Sequence, residues 1–461
     1  MASRLFLSLG LLAACVEATA LPPAAGSTSQ GFMSFPIEHR RSLVPLLKRQ
    51  DVEVPLQNIS VLSYLVTLSI GTPGQRTKVA IDTGSDELWV NPQCSTVQVS
   101  SQRAECQANG QYKPSSSSTS KVSDVTNHIT YGKGQATIQY VQDSISLPDS
   151  SISVTKVVFG AATKTSQLPE GIMGLGFGNG VNLKYNNFVD TLFEQNVTRS
   201  RAFTIALGSA DVNNGGAIIF GGVDAKRFSG NLTKIPILGP QGKETIRRYW
   251  VQLQGISNNN GNGGGKTYTG SSMPIVIDSG SSLSFLPKTV VDQMANDTGA
   301  QFDSQAEVYI VPCSLLSSQG SFDFTFGGGG GSATAKISVP YREFIWQAGN
   351  ECALGAIPLK SGSSGITALL GDSFMRAASI TFDQTSNSIY LAQYANCGDG
   401  GVRAIAADAA GLAGMTGECS QGQGVGSAAG GNGKKNAAAA SPRSLWFGVA
   451  VVVAQVVMGV L

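Results

Sequence analysis

One heptapeptide occurs twice in this chain of 461 residues, and the repeat restricts the fold more than any other feature. Val79-Ala80-Ile81-Asp82-Thr83-Gly84-Ser85 is matched by Ile275-Val276-Ile277-Asp278-Ser279-Gly280-Ser281, with the two aspartates 196 positions apart. A second, unrelated pair follows the two copies: Gly171-Ile172-Met173-Gly174-Leu175 and Ala368-Leu369-Leu370-Gly371-Asp372, whose glycines Gly174 and Gly371 are 197 apart. Two motifs sharing almost one offset indicate duplicated halves. Single cores stop growing near ~250–300 residues, so two globular units are expected in any case.

Both halves read as β structure. Tyr64 to Ile70 alternates apolar and polar residues and then breaks at Gly71-Thr72-Pro73-Gly74. Lys78 to Ile81 and Pro274 to Ile277 are short runs rich in β-branched residues, and turn residues recur every ten or so positions. Helical period is confined to Asn187–Gln195 and Thr289–Met294. Fifty-six glycines with only 13% charged residues point the same way, to a loop-rich, mainly β protein. The glycine runs Asn258–Gly265 and Gly327–Gly331 lack the Gly-Lys-Ser/Thr of a phosphate loop and read as long hairpin tips.

The counts also exclude. Lys+Arg 32 against Asp+Glu 30 nearly cancel, so a nucleic-acid partner bound by a general basic surface is not expected. A hydrophobic share of 42% argues against disorder throughout. Of the two histidines, His39 falls in a segment expected to be removed, and His128 reads as a surface residue at a strand start. One remaining imidazole cannot build a His-rich metal centre, so neither a metal nor a cofactor is expected.

The two ends read as addresses. An apolar run from Leu5 to Val16 followed by Ala18-Thr19-Ala20 reads as a signal peptide over residues 1–20. Residues 21–49 end in Lys48-Arg49 and read as a pro-segment, with His39, Arg40 and Arg41 as cations that would lie near an acidic cleft. Residues 445–461 are uncharged, and a small-residue stretch with the polar spacer Lys434, Lys435 and Arg443 precedes them. That is the pattern of a GPI-attachment signal, with Gly431 and Asn436 as alternative sites; a single membrane-spanning helix is the rival reading. Between these ends lie an N-terminal unit, 50–232, a C-terminal unit, 233–396, and a Gly/Ser/Ala-rich tail and spacer, 397–444. Removing 1–49 and 437–461 leaves a net charge of −2, which suits an acidic medium.

Secretion fits six cysteines outside the signal peptide, an even number in an oxidising compartment. Sequential pairing is favoured among the fifteen possibilities: Cys94–Cys106, Cys313–Cys352 and Cys397–Cys419. Asn58, Asn196, Asn231 and Asn296 each begin a glycosylation sequon.

A hydrophobic strand ending in Asp-Thr/Ser-Gly-Ser buries its carboxylate at a turn. Gly84 and Gly280 permit the turn and the close approach of another chain. Ser85 and Ser281 place hydroxyls within reach of their carboxylates. If a pseudo-twofold brings the turns together, Asp82 and Asp278 share one proton, because two adjacent carboxylates cannot both ionise. One then takes a proton from water while the other polarises a carbonyl, which is amide hydrolysis without metal or covalent nucleophile.

On these motifs, residues 62–396 resemble the pepsin-like aspartic endopeptidases, and the ends resemble the fungal GPI-anchored yapsin and candidapepsin type. The resemblance implies two pseudo-twofold-related β lobes with a cleft between them. It makes Asp82 and Asp278 the catalytic pair and Ile129–Gly134 the flap, with Tyr131 and Gly132, together with Gly84 and Gly280, touching substrate. Trp89 would support the flap tyrosine, Thr83 and Ser279 would brace the loops, and Gly174 and Gly371 would flank them. Tyr112–Thr119 matches a segment after the first disulfide loop. Lys133 in the flap departs from the acidic residue of several yapsin-like enzymes, so weaker selection for Lys or Arg at the cleavage site is expected. Asp86-Glu87 is expected to be a solvated turn, and Asp372 a buried structural carboxylate. The implied function is acid proteolysis of extracellular or cell-wall proteins by a membrane-anchored monomer. A non-catalytic peptide-binding module or a structural wall protein on the same fold is the alternative.

Overall fold

The computed structural model describes residues 31–42, 61–91, 94–97, 102–132, 134–148, 152–210, 216–260, 265–304, 306–327, 334–359 and 368–420. Two β layers carry the two halves of the repeat, as the duplicated motif requires. A sheet of 13 strands serves the N-terminal lobe and continues beneath both lobes; a sheet of 8 strands forms the C-terminal lobe. In each lobe the strand that ends at the repeated aspartate lies parallel to the strand of the second motif. Gln75–Asp82 runs beside Gly171–Gly174, with Asp82 opposite Gly174. Met273–Ile277 runs beside Leu369–Leu370 in the same sense. Gly171–Gly174 and Leu369–Leu370 are buried throughout and Met273–Ile277 over its last three residues, which is why they read as continuous apolar runs, whereas Gln75–Asp82 alternates until it reaches Ile81.

Beneath the lobes, Ala378–Asp383 pairs with Ala202–Ala206, so strands from the two halves share one sheet. Phe203 and Phe382 stack across this seam with ring centroids 5.0 Å apart, and Tyr249 meets Phe382 edge-on at 4.7 Å. The aromatic seam fixes the lobes relative to each other, and hence the two aspartate turns. The predicted helices form over Phe188–Glu194 and Lys288–Thr298. The first starts where Asn187 accepts from the Asp190 amide while Asp190 reaches back to Asn187, a reciprocal cap.

All three sequential disulfides form. Residues expected to be a loose tail from 397 onward prove to be folded as far as 420. Val402–Ala404 pairs with Gly222–Asp224, and Ile405, Ala409 and Leu412 bury against Phe228, Leu232 and Tyr390. Cys397–Cys419 closes this strap onto the sheet. The sequence pattern there is small and polar, but four apolar side chains spaced along it, Ile405, Ala409, Leu412 and Met415, suffice once a partner face exists.

The segment expected to be a pro-segment holds a second departure. Met33–Ser42 is an internal strand of the large sheet, between Gly216–Phe220 and Val61–Ile70, with Met33, Phe35 and Ile37 buried. Its cations are also engaged away from the aspartate turns. Arg40 bonds Asn109 and pairs with Glu105 at 3.6 Å, while His39 contacts the Leu207 carbonyl at 2.7 Å and its ring meets Tyr64 edge-on. The Arg41 side chain and Lys48-Arg49 lie outside the described residues, as do Asn58, Lys133 and residues 421–461. Among the described residues no helix is long and apolar enough to cross a membrane.

Candidate active site

The two aspartate turns meet. Asp82 and Asp278 are 3% and 1% exposed and face each other, each carboxyl packed against the glycine of the opposite turn. The glycine after each motif hydroxyl makes this approach possible. A methyl group on Gly84 would stand 2.6 Å from Asp278 Oδ1, and one on Gly280 would collide with Asp82 Oδ1. No other residue type fits at either turn. Each aspartate also accepts from its own glycine amide, Gly84 N to Asp82 Oδ1 and Gly280 N to Asp278 Oδ1, both 2.8 Å.

Below the pair, Thr83 and Ser279 brace the loops across the axis, as the resemblance implied. Thr83 Oγ1 donates to the Ile277 carbonyl at 3.0 Å and accepts from the Ser279 amide at 2.9 Å. Ser279 Oγ donates to the Ile81 carbonyl and accepts from the Thr83 amide, both 3.1 Å. Four buried bonds, each made by one half to the other, hold the carboxyls in register. The motif serines differ: Ser85 donates to Asp82 Oδ2, whereas Ser281 directs its hydroxyl to the Leu283 carbonyl at 2.9 Å. The pair is thereby asymmetric. Burial raises both carboxyls, the Ser85 and Gly84 hydrogen bonds oppose the rise at Asp82, and burial with the Asp82 charge takes Asp278 to about 8. One proton held between the two carboxyls is the consequence.

Lys121–Thr130 and Gln135–Ser146 pair as a hairpin, and the charge of Asp82 reaches Tyr131 at its tip. At its tip Tyr131 is buried against Trp89, whose indole Nε1 donates to the tyrosine hydroxyl at 2.7 Å, while Gly132 is exposed. The flanking glycines sit where expected, Gly174 ending its strand beside the Asp86–Glu87 peptide and Gly371 beside the Ser281 and Leu283 carbonyls. Tyr112 bonds Asp143 at 2.7 Å behind the disulfide loop.

Asp86-Glu87 is not a solvated turn. Asp86 is 3% exposed, accepts from the Phe177 amide at 2.8 Å and Asn182 Nδ2 at 3.0 Å, and burial pushes it up to about 7. Glu87 accepts from the Tyr140 hydroxyl at 2.6 Å, and burial raises it as well. Asp372 is buried as expected, raised by desolvation against the pull of Arg376. The repeat shows how these extra acids are distributed. Asp86 lies four residues after Asp82 of the first motif and Asp372 directly follows Gly371 of the second, so the two lobes set these carboxyls near the seam from different elements. Asp372 donates its amide to the Ser281 carbonyl and Gly176 to that of Ser85, both 2.8 Å. Of the sequons, Asn196, Asn231 and Asn296 are exposed, and Asn231 Oδ1 accepts from Thr416 Oγ1 at 2.7 Å. Among the described residues no cluster of His, Cys, Asp and Glu is arranged to hold a metal ion.

A two-lobed β protein with paired, buried aspartates at a braced seam is the architecture of an aspartic-type endopeptidase, and the comparisons agree. Residues 63–394 match the eukaryotic aspartyl protease family, to which this chain belongs. It is 35% identical over 354 residues to a secreted aspartic protease 8 of Candida albicans, covering 76% of this chain and 80% of that one. It is 30% identical to a probable aspartic-type endopeptidase of Aspergillus oryzae, over 74% and 70% of the two chains. It is 28% identical to aspartic proteinase 3 of Saccharomyces cerevisiae, over 76% and 73%. In fold it is similar to the crystal structure of an aspartic proteinase from Irpex lacteus, with a TM-score of 0.59, 19% identity and coverage of 79% and 97%.

Proposed function

We propose that Asp82 and Asp278 are the catalytic pair of a secreted, surface-anchored enzyme that cleaves extracellular or cell-wall proteins in acid. The two buried carboxyls, brought face to face by the cross-braced turns, carry this reading. The ionised member takes a proton from water as the water oxygen attacks the scissile carbonyl; the protonated member gives its proton to the carbonyl oxygen. The tetrahedral diol then collapses, the C–N bond breaks, and the amine nitrogen leaves with a proton returned through the pair. Gly84, Gly280, Tyr131 and Gly132 line the substrate path. The enzyme acts as a monomer. Its signal peptide, its dibasic processing site and its GPI-type C-terminus are supported by sequence pattern, and secretion also by the name of the Candida relative.

The test is digestion of a protein substrate by processed enzyme across pH, with and without a statine-type transition-state mimic. Cleavage confined to acid and blocked by the mimic is expected; a folded, processed sample that cuts nothing in acid would overturn the reading. Tyr131→Phe removes the hydroxyl that accepts from the buried Trp89 N–H. An unpaired buried donor costs ~1–3 kcal/mol, so the flap tip loosens and kcat/KM is expected to drop about tenfold in steady-state assays.

A further inference from the structure

Arg248 lies in the connection between Phe228–Pro236 and Trp250–Asn259, 164 positions from the loop it touches. It is 9% exposed. Its Nη1 donates to the Gly84 carbonyl at 2.7 Å, and its Nε to Glu244 Oε1 at 2.9 Å. Glu244 is itself held, since Oε2 accepts from Trp250 Nε1 at 3.0 Å. Gly84 is therefore gripped on both sides, its amide on Asp82 and its carbonyl on the guanidinium. The neighbouring Arg247 is tied to the same lobe. Asn182 accepts from the Arg247 amide at 3.1 Å and donates to its carbonyl at 2.8 Å, while the same side-chain nitrogen reaches Asp86.

We propose that Arg248 is a positioning residue of the aspartate pair, which fixes the Asp82 loop through Gly84 and supplies the positive charge that this crowded group of buried carboxyls needs. The proposal rests on the reading of Asp82 and Asp278 as catalytic. The charged and titratable groups around it are Asp82 and Asp86 on the first loop, Asp278 on the second and Asp372 beyond it. Tyr131 of the flap, and Glu244 and Tyr249 of its own segment, complete the set. Arg248 lowers Asp82, Asp86 and Asp278 alike against their burial. Asp372 has its own cation in Arg376, which leaves Arg248 to the other three. Arginine suits the post because one rigid fork serves a carboxylate and a carbonyl together.

The cation favours the ionised forms, so it sets both limbs of the pH–rate profile lower than they would otherwise lie. Arg248→Met is expected to move both limbs of kcat/KM up by about half to one pH unit, cutting acid-side activity roughly 3- to 10-fold. Arg248→Gln, which keeps a donor for the Gly84 carbonyl but no charge, is expected to do the same. Arg248→Lys restores the limbs while kcat stays reduced, because an ammonium lacks the fork. Concentrations are set by titration with a statine-type mimic. Neutral variants whose limbs stay at the wild-type pH, or a Lys variant as displaced as they are, overturn the proposal. A wild-type enzyme that fails to cleave overturns the catalytic reading instead.

Discussion

Replacing Asp82 by Asn is expected to lower kcat/KM by at least ~10³-fold while the fold persists. Asparagine has nearly the shape of the carboxyl group: its oxygen can still accept from the Gly84 amide, and its NH2, in the place of Oδ2, can donate to a Ser85 hydroxyl that turns to accept. It cannot take a proton from water, and it breaks the one-proton pair with Asp278. Stability should not suffer, since the buried site already disfavours a charge there. Assays on material shown to be folded by circular dichroism separate the two effects. Residual activity above about a tenth of wild type would put the general base elsewhere.

Thermal stability is expected to fall from pH 4 to pH 8, the reverse of a protein held by ionised carboxylates. Burial raises Asp86 to about 7 and Asp278 to about 8. In the unfolded chain both titrate near ~3.9. Between those values the unfolded state releases protons that the folded state retains, so unfolding grows easier as pH rises. The contribution is complete below pH ~4, declines through the window and is lost above the folded values. A shift of about three pH units at Asp86 bounds its share at ~4 kcal/mol. Asp86→Asn, which keeps polar atoms for Phe177 and Asn182, should recover about half of that at pH 8 and nothing at pH 4. Melting curves of both proteins at the two pH values check this; a variant that loses as much stability as wild type would remove Asp86 as the cause.

The site's central geometry was legible because its chemistry is local. Thr83 and Ser279 directly follow the aspartates they brace, and the glycines that admit the opposite carboxyl come next. A duplication written in one heptapeptide then supplies the symmetry. The disulfides were legible for the same reason, each cysteine joining the next in sequence. Asp86 was misread although it directly follows Ser85. A charged pair after a turn looks solvated until Phe177 and Asn182, about ninety residues on, close over it.

The sequence alone determined that two β halves would bring two aspartates to one seam, and that the chemistry there would be proton transfer between carboxyl groups. Only the tertiary structure decided what surrounds that seam. Arg248 reaches Gly84, the strand Met33–Ser42 enters the middle of a sheet, and residues 397–420 dock on its far strands. A motif fixes contacts between neighbours along the chain. The electrostatics of a buried site depend on every charge within a few ångströms, and those charges come from segments that folding alone makes adjacent.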